Sequence, residues 1–122
     1  VPGKVVAAVE DLLFRSKISA TADKLGVEVS FPRSGGKLLE SLRESPPDLL
    51  VLDLASSRYE PVELLREVKS GEATRKIRTI GFVPHVETEL IKAAREAGCD
   101  RIFSRGAFTE ELPAILSGED GR

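Results

Sequence analysis

Two unbroken apolar runs, Val5-Val6-Ala7-Ala8-Val9 and Leu49-Leu50-Val51-Leu52, constrain this chain more than any other feature. Each is short for a helix and too uniformly apolar for a half-wet strand, so each reads as a strand covered on both faces. Covering both faces takes helices between the strands, and the intervening sequence carries helical spacing. Phe14, Ile18, Ala22 and Leu25 share one helical face that Gly26 ends; Leu38, Leu39 and Leu42 mark a second helix with Ser34 as N-cap. Val62, Leu65 and Val68 mark a third between Pro61 and Gly71, and Val86, Leu90, Ala94 and Ala97 a fourth, with Glu87 and Glu89 in its first turn and Gly98 as C-cap. Phe108, Leu112 and Leu116 mark a fifth, weakened or bent by Pro113. Ile80-Gly81-Phe82-Val83 and Ile102-Phe103 supply two more strands, while Val27, Val29 and Phe31 alternate with Glu28 and Ser30, as suits an edge.

Five strand–helix units predict an α/β domain with a doubly wound, five-stranded parallel sheet in the order 2-1-3-4-5 and five helices. With 122 residues there is room for one such domain, taken as residues 1–116, followed by a Gly-rich, charged, flexible tail at 117–122. Composition excludes much else. One cysteine allows no intramolecular disulfide or Cys-built zinc site, and one histidine no multi-His metal site. Eighteen Lys+Arg against 20 Asp+Glu give a net charge of -2, so no basic excess points to nucleic acid or an anionic membrane. No apolar run approaches the roughly 20 residues of a membrane span, and no signal peptide opens the chain; a soluble, cytoplasmic domain is expected. Gly35-Gly36-Lys37 lacks the rest of a phosphate-loop motif, and the small basic patch Arg75, Lys76 and Arg78, balanced by Glu72 and Asp100, reads as solvated surface.

In a sheet of this kind the working site lies beyond the carboxyl ends of the central strands, where the order reverses. Glu10 and Asp11 follow the first strand and Asp53 ends the third. Clustered carboxylates there suit a magnesium ion, beside which Asp53 is a candidate nucleophile toward a phosphoryl group. The plainer alternative is that strand ends are simply polar, with Asp11 capping the helix that begins at Leu12.

Pro47-Asp48-Leu49-Leu50-Val51-Leu52-Asp53 and Ala97-Gly98-Cys99-Asp100 make the chain resemble a response-regulator receiver domain, the phosphorelay module of two-component signalling, from Lys4 to about Leu116. The resemblance implies the flavodoxin-like fold, Asp53 as phosphoacceptor, magnesium at Glu10, Asp11 and Asp53, and a histidine kinase as partner. It also implies a signalling role without enzymatic turnover. Output would pass through the face of the fourth helix, fifth strand and fifth helix, where outward residues such as Ala114 or Ile115 would meet a partner or a second copy in a homodimer.

The chain departs from the family pattern. The acidic pair falls on Val9-Glu10 or on Glu10-Asp11, depending on a shift of one residue; Val83 stands where the family has a hydroxyl; and Arg105-Gly106 replaces Lys-Pro, leaving Arg105 as the charge partner of Asp53. Ile102 occupies the family's aromatic position. An atypical receiver is therefore expected, with weak magnesium affinity and slow phosphorylation. Two alternatives accompany it: a phosphorylation-independent interaction module, or a small-ligand-binding flavodoxin-like domain. His85, Ser57 and Arg58 each read either as anion contacts or as ordinary loop residues, and Cys99 as core filler.

Overall fold

The computed structural model describes residues 3–33, 35–85 and 87–119. Its elements alternate strictly: β1 (Lys4–Ala8), α1 (Leu12–Leu25), β2 (Glu28–Ser30), α2 (Leu38–Glu44), β3 (Leu49–Asp53), α3 (Pro61–Ser70), β4 (Arg78–Val83), α4 (Thr88–Glu96), β5 (Arg101–Ser104) and α5 (Arg105–Ser117). The strands form one parallel sheet in the order β2-β1-β3-β4-β5, the order expected from the apolar runs. β3 lies at its centre, paired Val5 to Leu49 on one side and Leu49 to Arg78 on the other, and is buried along its whole length.

Alternation along the strands divides the interior into two cores. On one face Val5, Ala7, Val51, Ile80 and Phe82 pack against α1 and α5; on the other Val6, Ala8, Leu50 and Leu52 pack against α2, α3 and α4. The first face is anchored by aromatics. The Phe82 ring lies 4.8 Å from Phe14 and 4.7 Å from Phe108, centroid to centroid. Such pairs add about 0.5–1.5 kcal/mol each beyond simple burial.

Several helix details differ from expectation. Phe14, Ile18 and Ala22 are buried as predicted, but Leu25 is 38% exposed. Gly26, at φ 71, turns the chain left-handed there, and Val27, whose N–H reaches Ala22 O at 2.9 Å, takes the core position instead. α4 starts at Thr88 with Glu87 as its N-cap, and its C-cap is Ala97, with Gly98 following at φ 102. α5 starts directly after β5, capped by the Ser104 hydroxyl oxygen, which accepts the Ala107 N–H at 3.1 Å; it includes Ser117 and ends on Gly118 at φ 81. Ile115 does not point outward: three residues from Leu112 and seven from Phe108, it lies on their stripe and is fully buried. The proposed Ser34 cap, Val86 and residues 120–122 of the expected tail lie outside the described residues. Among the described residues no helix is long and apolar enough to cross a membrane.

Candidate functional site

Asp53 ends β3 with its side chain 9% exposed. The chain then turns sharply. Leu54 extends the ladder through its N–H to Phe82 O (3.0 Å), the Ala55 N–H donates to Asp53 Oδ1 (3.0 Å), and the Ser56 N–H to Asp53 O (3.1 Å). Gly81 on β4 makes this turn possible, because a Cβ there would lie 2.7 Å from Leu54 Cδ1. Burial is the main influence on the Asp53 carboxyl and raises its pKa. The Ala55 N–H and the Arg105 charge oppose the rise, and the charges of Glu10 and Asp11 add to it. Asp53 makes no ion pair among the described residues.

The other two predicted carboxylates lie at the same end of the sheet, each with a separate task. Asp11 caps α1, its Oδ1 accepting the Phe14 N–H at 3.1 Å, as the plainer reading had it. Glu10 accepts a short hydrogen bond from the Ser56 hydroxyl on Oε2 and pairs with Arg58 Nε through Oε1 at 3.5 Å. The Ser56 bond, followed by the guanidiniums of Arg58 and Arg15, holds the Glu10 carboxyl below its ordinary pKa against the opposing effect of burial. Glu10, Asp11 and Asp53 therefore do not converge on one point, and among the described residues no three carboxylate, imidazole or thiol groups do so. Asp11 and Asp53 each keep one oxygen outside these bonds, a donor set that fits an ion such as magnesium, which takes one or two carboxylates and keeps its waters.

Arg105 opens α5. Its guanidinium carbon lies 5.3 Å from the Phe14 ring centroid, and its Nε is buried without a hydrogen-bond partner. The guanidinium acts on Asp53 electrostatically without pairing with it. Val83 ends β4, 2% exposed, and packs into the core on the α2–α4 side, so no hydroxyl stands at that position. Arg58 does touch an anion, namely Glu10. His85 is exposed and lies 3.8 Å from the Glu87 carboxylate at the start of α4. Ser57 borders an open pocket of about 550 Å3 shared with Leu54, Ser56, Glu60, Val62 and Leu90. Cys99 is core filler, and burial pushes its thiol up to about 11, well out of the reactive range.

Patterning missed Arg15, Ser56 and Tyr59. Arg15 donates from Nε to Val9 O and from its terminal nitrogen to the Tyr59 hydroxyl at 3.3 Å, and that hydroxyl donates to Pro32 O at 2.6 Å. These bonds tie together the loops after β1, β2 and β3. The one available signal was Tyr59 itself, the only tyrosine, placed in the loop that follows Asp53.

No family model matches the chain. It is 30% identical over 107 residues to the polar-differentiation response regulator DivK of Brucella ovis, an alignment covering 84% of each chain. Its fold is similar to that of the phosphorylated cyanobacterial phytochrome response regulator RcpA (TM-score 0.81, 20% identity, 97% of this chain and 91% of that one). It is equally similar to the receiver domain of the sensor histidine kinase PA1611 of Pseudomonas aeruginosa PAO1, a structure with magnesium coordinated in its active-site cleft (TM-score 0.83, 17% identity, 100% of both chains).

Proposed function

The chain belongs to the response-regulator receiver family of two-component systems, and from that premise we propose that it is a cytoplasmic signalling module whose Asp53 accepts a phosphoryl group. One observation carries this reading: a buried carboxylate without an ion pair lies within the field of a guanidinium whose buried Nε has no acceptor. A phosphoryl group on Asp53 supplies the anionic oxygens that Arg105 lacks. In the transfer, an Asp53 oxygen bonds to phosphorus as the bond to the imidazole nitrogen of a phosphohistidine kinase breaks, and that nitrogen takes up a proton. Asp11 and Asp53 would hold magnesium, which when bound neutralises charge on the transferring oxygens; Glu10, engaged by Ser56 and Arg58, is the least available of the three expected ligands. Losing a positioned donor at Val83 raises the barrier by about 2.7–4 kcal/mol, so transfer is slow.

The domain acts by protein–protein contact without enzymatic turnover, with a histidine kinase upstream and a second copy of itself on the face of α4, β5 and α5. The burial of Ile115 leaves that face less apolar than expected. The most exposed large hydrophobics among the described residues are instead Leu12 and Leu13, 74% and 78% exposed in the first turn of α1 beside Asp11, which supports a partner contact at the rim of the site. A second reading, a phosphorylation-independent module, draws its support from Glu10, whose two oxygens are already occupied by protein groups. Intact mass after incubation with acetyl phosphate and magnesium separates the two. The first reading predicts slow gain of a single phosphoryl group, abolished in Asp53→Ala. No gain at all favours the second, and gain that persists in Asp53→Ala shows the acceptor to be misassigned.

A further inference from the structure

Both oxygens of Glu10 meet side chains from the loop between β3 and α3. The Ser56 hydroxyl donates to Oε2 in a short bond, and Arg58 Nε lies 3.5 Å from Oε1. The guanidinium of Arg58 makes one further hydrogen bond to a described residue, from Nη1 to Arg33 O at 3.5 Å, the outer limit for such a bond. The Arg58 and Glu10 side chains are 45% and 36% exposed, so water and ions reach the pair and it opens at small cost. Arg15, the other cation acting on Glu10, has no such freedom. Its Nε donates to Val9 O and its terminal nitrogen to the Tyr59 hydroxyl at 3.3 Å, while its guanidinium carbon lies 5.4 Å from the Phe31 ring centroid. Of the two guanidiniums beside Glu10, Arg58 is the one that can leave.

We propose that Arg58 is a built-in competitor of the divalent cation: its guanidinium and the metal exclude each other at Glu10, so that Arg58 sets how tightly the site binds magnesium. The proposal rests on the reading that Asp11 and Asp53 hold the ion, and it needs no phosphoryl transfer. A divalent ion at those two carboxylates attracts Glu10, directly or through one of its waters, and is repelled by the guanidinium that Glu10 now holds. Linkage makes the exclusion reciprocal. Whatever Arg58 takes from the affinity for the metal, the metal takes from the hold of Arg58 on Glu10. Metal binding then frees Arg58 from the end of β1, while Tyr59 beside it stays tied to Arg15 and Pro32 O.

Titration of the full chain with magnesium chloride, followed by amide NMR at low ionic strength where the pair is least screened, tests this without a phosphodonor. Arg58→Gln removes the guanidinium and keeps the backbone N–H that also acts on Glu10. It should bind magnesium about three- to fivefold more tightly than the wild type, the upper range for a half-exposed ion pair. In a Glu10→Gln background the same substitution should change affinity by less than about 1.5-fold, because the group competed for is gone. Equal tightening in both backgrounds would mean that Arg58 acts only as a distant charge, and unchanged or weaker binding that it does not compete; each overturns the proposal. The Arg58 Nε–H resonance gives a second measurement, decisive where Glu10→Gln binds too weakly for a constant. As magnesium saturates the wild type, it should move to its position in metal-free Glu10→Gln; a resonance that stays in place overturns the proposal. Binding that is lost in Asp53→Asn yet unmoved by Arg58→Gln overturns this proposal alone. Absence of magnesium binding in both the wild type and Arg58→Gln overturns the metal site of the proposed function with it.

Discussion

Asp53 differs from the other acidic residues at its end of the sheet because its charge is buried and unneutralised. Its folded-state pKa lies above the unfolded one, so the folded form binds the extra proton. Stability therefore falls as pH rises through the range above about 4 and stays lowered at neutral pH. Asp53→Asn keeps an oxygen for the Ala55 N–H and removes the charge. It is expected to raise Tm at pH 7, with the gain shrinking as pH is lowered toward the ordinary carboxylate range, a comparison that thermal melts of both forms across pH make directly. Glu10 behaves oppositely. With its pKa depressed chiefly by the Ser56 hydroxyl, Ser56→Ala should move the Glu10 carboxyl titration, followed by NMR, up toward the ordinary value of about 4.3.

At the scale of elements, β1 and β3 could be read directly because nothing but a doubly covered strand accounts for two short, continuous apolar runs. The helices could be read from their buried stripes. Other features left no trace in such patterns. The Arg15–Tyr59–Pro32 chain and the Ser56–Glu10 bond join loops far apart in sequence, and periodicity carries no information about which loops meet. Leu25 gave way to Val27 because a left-handed turn at Gly26 changes which side chain reaches the core. The role of Gly81 is also one of contact, and it yields a test: Gly81→Ala drives a Cβ into the buried Leu54 side chain and should cost about 1–3 kcal/mol by overpacking. Chemical denaturation measures that cost, and phosphoryl labelling should slow as well, since Leu54 begins the turn that holds Asp53. Phe108→Ala, which opens the aromatic cluster below Arg105, should cost about 3–5 kcal/mol.

In the whole molecule the sheet separates the two charged regions, acidic at the carboxyl ends of β1 and β3 and basic at the amino ends of β4 and β5. In the proposed function a change at Asp53 has to reach a surface, and α5, whose first residue is Arg105, is the element we propose carries it. If copies pair through α4, β5 and α5, the charge reversals Lys92→Glu and Arg95→Glu should shift the monomer–dimer equilibrium in sedimentation; an unchanged equilibrium would move the contact to another face, with the exposed Leu12 and Leu13 next to be tested. The role proposed for Arg105 is to meet a phosphoryl group accepted at Asp53. It is tested most directly by the NMR resonance of the Arg105 Nε–H during titration with beryllium fluoride and magnesium, which together place a tetrahedral phosphoryl mimic on a carboxylate. A large downfield shift, absent in Asp53→Ala, is the predicted result; a resonance that stays in place at saturating mimic would contradict the account.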